Sequence, residues 1–63
     1  MAAEVHPCSY EVVREAEIVS TGHITLEQEP VAGNLVTLGG ERLEIESVWP
    51  ATTGEPRIRL VPA

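Results

Sequence analysis

The chain reads as a small all-β protein, a five-stranded barrel or sandwich. Three observations carry that reading. Short runs alternate apolar and polar residues at period 2. Turns rich in Gly and Pro separate the runs at intervals of about 8–12 residues. A hydrophobic content of 43% over 63 residues is that of a globular chain, with room for one small core.

Residues 1–9 carry little periodicity, and Pro7 blocks a helix through them, so they are expected to form a flexible N-terminal arm. The domain is expected to span residues 10–63. Tyr10, Val12, Ala16 and Ile18 point one way along the first strand, and Glu11, Glu15 and Glu17 the other. Arg14 falls on the apolar side and Val13 and Val19 on the polar side, a mismatch that implies a bend or bulge. A second reading fits the same stretch. Val12, Val13, Ala16 and Val19 also form a helical stripe with Ser9 as its N-cap, giving an α+β fold with residues 10–19 helical. The valines and isoleucine favour extended chain.

Ser20-Thr21-Gly22 is expected to be the first turn, with Gly22 at its positive-φ position. Ile24 and Leu26 then face inward on the second strand. Glu29 to Gly33 breaks the alternation with Pro and Gly at turn spacing. Val36 and Leu38 face inward on the third strand. Gly39-Gly40 supplies a two-residue hairpin turn, because both residues can take positive φ. Leu43 and Ile45 face inward on a fourth strand from Arg42 to Trp49, whose alternation slips at Ser47-Val48, a second bulge candidate. Pro50 to Pro56, with Thr52, Thr53 and Gly54, is a loop. Ile58 and Leu60 face inward on the fifth strand, with Arg57 and Arg59 outward. The expected core is Val12, Ala16, Ile18, Ile24, Leu26, Val36, Leu38, Leu43, Ile45, Val48, Ile58 and Leu60. Closure of the barrel would hide both sheet edges.

The stretches Gly22-His23-Ile24-Thr25-Leu26, Pro30-Val31-Ala32-Gly33, Val36-Thr37-Leu38-Gly39-Gly40 and Leu43-Glu44-Ile45 together resemble the strand-and-turn order of small bacterial SH3-like barrels. The likeness covers roughly residues 10–61 and is one of architecture. It implies a five-stranded SH3-like barrel. The peptide-binding aromatic patch of eukaryotic SH3 domains is not matched, since Tyr10 and Trp49 are the only aromatics. The basic loops of RNA-binding barrels are not matched either.

Ten acidic residues, all Glu, face four basic residues, all Arg, for a formal net charge of −6. Such a field repels phosphate backbones and anionic membranes. The absence of Lys and Phe suits a GC-rich genome, and a bacterial source is expected from it. A lone cysteine, Cys8, allows no internal disulfide and is usual in a reducing cytoplasm. The first seven residues have neither the basic head nor the apolar segment of a signal peptide, and no apolar run reaches the roughly 18 residues of a membrane span. A cytoplasmic protein is expected.

Each candidate for chemistry has a plainer reading. His6, Cys8 and His23 are metal-ligand types, but they lack the paired close spacings of zinc motifs. Cys8 with His6 or His23 as base would need a preorganised oxyanion site. Glu44 and Glu46 share a strand face, as do Arg57 and Arg59. Antiparallel pairing of the fourth and fifth strands would turn these four into cross-strand ion pairs. Arg42, Arg57 and Arg59 could instead gather into an anion site. Trp49 fits either a core plug at the barrel's end or an interface anchor. Val13, Val19, Leu35 and Val61 fall outward, enough apolar surface to suggest a self-association or partner patch.

No catalytic constellation emerges, and no cofactor or metal is expected. The leading expectation is a non-enzymatic protein-interaction module. Its partner is another protein or a second copy, bound through Trp49, Arg57, Arg59, Val13, Val19 and Val61. Two alternatives are a nucleic-acid-associated barrel using the local arginines, and an acidic nucleic-acid mimic displaying glutamates 11, 15, 17, 44 and 46 as a stripe.

Overall fold

The computed structural model describes residues 5–51 and 54–63. They form five strands and no helix: β1 (His6–Arg14), β2 (Glu17–Leu26), β3 (Leu35–Leu38), β4 (Glu41–Trp49) and β5 (Arg57–Pro62). The strands make one mixed sheet in the order β2-β1-β5-β4-β3, curled into a half-barrel. The β1–β5 pair is parallel and the other three are antiparallel. Among the described residues β2 and β3 do not touch, so the sheet keeps two edges. Among the described residues no helix is long and apolar enough to cross a membrane.

The concave face holds the core. Leu43, Ile45, Ile58 and Leu60 are fully buried there with Cys8, and Val12 and Val36 nearly so. Each fully buried Leu or Ile contributes about 1.5–3 kcal/mol over leaving it in water. Tyr10, Ile24, Leu26, Leu38 and Val48 pack around this cluster, half-buried. The β2 members stay half-open because β2 is an edge.

Four expectations need correction, and one displaced turn explains most of them. Residues 6–9 are not part of an arm: they form the first half of β1, and residues 1–4 lie outside the described residues. The stretch 10–19 is neither one strand nor a helix, because the chain reverses at Glu15-Ala16. These two residues take φ values of 52° and 66° and connect the paired residues Arg14 and Glu17, as in a type I′ hairpin turn. Ser20-Thr21-Gly22 is therefore strand, with no turn, and Gly22 lies opposite Tyr10. Ala16 and Ile18 consequently leave the core: Ala16 is in the turn, and Ile18 is exposed opposite Val13.

A register shift accompanies each break in alternation, the second lying just ahead of the expected Ser47-Val48. Val12 pairs with Ser20 and Val13 with Ile18, which leaves Val19 as the extra residue on β2. Ile45 pairs with Leu60 and Ser47 with Arg59, which leaves Glu46 extra on β4. Gly39 and Gly40 take positive φ, 58° and 81°, and close the β3–β4 hairpin. Arg14, on the apolar side of β1, sits at the end of the concave face and ion-pairs with Glu41 at the start of β4. Of the expected 50–56 loop, Thr52 and Thr53 lie outside the described residues.

Candidate outer-face interaction site

The convex face is built from the strand positions that alternate away from the core. Its tiers follow from the register. The first runs His23, Ser9, Arg57, Trp49 across β2, β1, β5 and β4. The second runs Thr21, Glu11, Arg59, Ser47. The third carries Ile18 beside Val13, and Leu35 beside Glu44 beside Val61. Val13 and Val61 lie one step past the paired Val12 and Leu60, which brings the two halves of that tier together.

Of the expected partner-binding residues, Trp49, Arg57, Arg59, Val13 and Val61 therefore share one face. Val19 is the bulge residue at its β2 border and is 52% exposed. Trp49 is 44% exposed, so it does not plug the barrel. The Arg59 guanidinium lies 5.2 Å from the centre of its ring, within range for a cation–π contact.

Glu11 organises the charges of this face. Among the described residues it is the one buried charged side chain, only 6% exposed. Arg59 Nε donates to its Oε2 at 3.1 Å, and Arg57 Nη1 stands 3.9 Å from its Oε1. Arg59 Nη1 also reaches Glu46 Oε1 at 3.7 Å. The expected ion pairing between the fourth and fifth strands is present for Glu46, but Glu44 lies opposite Val61 instead. The dominant carboxylate comes from β1, through the parallel β1–β5 pair. The outward direction of Glu11 follows from alternation along β1, but its burial does not. Nothing local shows that two arginines more than forty residues away will cover it.

The remaining candidates do not assemble. Cys8 faces the core, whereas His23 lies on the outer face and pairs with Glu55 at 3.0 Å. Cys8 Sγ donates weakly to the His6 carbonyl at 3.5 Å. Burial, and secondarily the charge of Glu55, pushes its thiol above the ordinary value of 9.0. A raised thiol pKa lowers the thiolate fraction that a nucleophile needs. Among the described residues no cluster of three or more His, Cys or Glu has metal-binding geometry. Arg42 pairs across the hairpin with Thr37 on β3, away from Arg57 and Arg59.

No family model matches the chain, and no curated protein or solved structure matches it either.

Proposed function

We propose that this half-barrel is a non-enzymatic protein-interaction module, the role its SH3-like strand-and-turn order leaves open, working in a reducing cytoplasm. Its outer face takes a partner protein or a second copy. One observation supports this above the others: an exposed Trp49, braced by Arg59, stands on the same face as Val13, Val61, Ile18 and Leu35. Trp and Arg are the residue types that most often anchor interfaces. An apolar tier beside them is the surface a partner would cover.

The charge arrangement favours a protein over a nucleic acid. Arg57 and Arg59 share the buried Glu11, and Arg59 is further offset by Glu46. That pairing cancels the local positive field a phosphate backbone would need. It also removes Glu11 from any exposed acidic stripe, which weighs against the nucleic-acid mimic.

The test is affinity capture from nuclease-treated lysate of the source cells, with Trp49→Ala and Val31→Ala compared. Trp49→Ala should lose the captured protein, or the self-association seen by sedimentation, while Val31→Ala, an exposed loop position, retains it. Equal capture by a folded Trp49→Ala variant would overturn the reading.

A further inference from the structure

The two edge strands, β2 and β3, carry open backbone hydrogen-bonding groups towards one groove. In an antiparallel pair, successive residues alternate between exchanging hydrogen bonds with the partner and pointing their groups away. The Ser9 N–H turns away from β2 and donates to the Pro56 carbonyl at 3.0 Å. Ser9 and Pro7 are thus at non-bonded pairs, which is how a proline fits inside β1. Their partners, His23 and Thr25, accordingly aim their N–H and C=O groups away from the sheet. On the far edge, Ile45 N–H donates to the Asn34 carbonyl at 2.9 Å. Alternation then turns Leu35 and Thr37 outward from β4.

Thr25 and Thr37 both line the same open groove, of about 820 Å³, between the two edges. Ile24, Leu26, Val36 and Ile45 supply its apolar side chains. Glu27 and Glu29 stand on its rim, and no Arg or His lines it among the described residues. A second copy would bring the same glutamates and a further net charge of −6 to this rim. The charge balance thus favours a cationic occupant.

We propose that the seam between β2 and β3 accepts an extended segment of a partner protein. That segment has apolar residues at every second position and Lys or Arg between them. It adds as a sixth strand: its backbone pairs with the free rows at Thr25 and Thr37, its apolar side chains enter the groove, and its cations meet Glu27 and Glu29. This is strand addition at an exposed edge, and it removes the two edges that the half-barrel leaves open.

Titration of the 15N-labelled chain with an alternating valine–lysine heptapeptide tests this, with a valine–glutamate heptapeptide as control. The lysine peptide should shift the Thr25 and Thr37 amides and slow their hydrogen exchange at least tenfold. The glutamate peptide should do neither. Glu27→Gln/Glu29→Gln, a surface change, should weaken the lysine peptide about tenfold. Thr37→Pro removes one free N–H and should abolish the effect at β3, provided the core amides keep their native shifts. Trp49→Ala should leave peptide binding unchanged, which separates this site from the outer face. Equal binding of both peptides would overturn the proposal, as would shifts centred on Trp49. So would a peptide-free dimer by sedimentation in which Thr25 and Thr37 are already protected, since a second copy would then be the occupant.

Discussion

Gly22 lies directly opposite Tyr10 across the β1–β2 pair, and the tyrosine ring occupies the space a side chain at Gly22 would need. A Cβ there would stand 2.8 Å from the Tyr10 hydroxyl and 3.0 Å from the adjoining ring carbon. Glycine inside a strand ordinarily costs stability, but an aromatic laid over it from the neighbouring strand recovers part of that cost. Gly22→Ala should therefore destabilise, by about 1–2 kcal/mol, as overpacked positions do. At about 4–8 °C per kcal/mol for a chain of this size, the change is visible in a thermal melt. In a Tyr10→Ala background the same substitution should be neutral or stabilising. A double-mutant cycle without coupling between the two positions would show that the ring does not set the requirement for glycine.

The β1–β2 turn gives the opposite expectation. Glu15 and Ala16 hold positive φ, which disfavours side chains with a Cβ by roughly 1–2 kcal/mol per residue. A type I′ turn prefers Asn-Gly or Gly-Gly. Glu15→Asn/Ala16→Gly should raise stability by about 1 kcal/mol, after allowing for the extra unfolded-state freedom of glycine. Urea unfolding would measure it as a higher midpoint at unchanged slope. A lower midpoint would mean that this turn is not in the left-handed region.

These two positions also show what the sequence could and could not reveal. Glu15-Ala16 has no turn chemistry, whereas Ser20-Thr21-Gly22 looks like a turn, so the reversal is read several residues late. Everything downstream of Gly22 survives that error, because Ile24, Leu26, Val36, Leu43, Ile45, Ile58 and Leu60 keep their own local alternation. Ala16 and Ile18 do not survive it, since their direction depends on where the chain reverses. Gly39-Gly40 is legible because only that pair meets the φ requirement cheaply. The outward direction of Arg57 and Arg59 is legible from alternation alone, whereas that of Trp49 is not, because strict alternation from Leu43 and Ile45 turns it inward and only the extra residue Glu46 sends it to the outer face. The burial of Glu11 is not, because it depends on a parallel pairing between β1 and β5 that no local pattern encodes.

Arg59 and Arg57 should contribute unequally to stability. Arg59 donates to the buried Glu11, approaches Glu46 and covers Trp49, whereas Arg57 stands 3.9 Å from Glu11 and is mostly exposed. Arg59→Ala strands a buried carboxylate and should cost about 1–3 kcal/mol. Arg57→Ala should cost less than about 1 kcal/mol. Adding Glu11→Gln to Arg59→Ala should recover part of the loss by neutralising the stranded charge. Equal costs for the two arginines in urea unfolding, or no recovery, would show that Glu11 is not held in this way.

Cys8 should make stability fall in alkali. Burial raises its thiol above 9.0 in the folded chain, so the folded state keeps its proton at pH values where the unfolded state has lost it. The folded state then binds more protons, and stability declines with rising pH. The stabilisation is complete below the unfolded pKa and drains away as pH rises through the folded one, at no more than about 1.4 kcal/mol per pH unit. Urea midpoints of the wild type and Cys8→Ala, compared from pH 7 to pH 10.5, isolate this contribution from other groups that titrate in the range. Cys8→Ala should be less stable at neutral pH, because it leaves a cavity in the core. The gap should narrow above 9.0. A thiol reagent should modify Cys8 in the folded protein only as fast as the chain opens. Parallel pH curves, or rapid modification under native conditions, would place the thiol in contact with water and remove β1 residues 6–9 from the core.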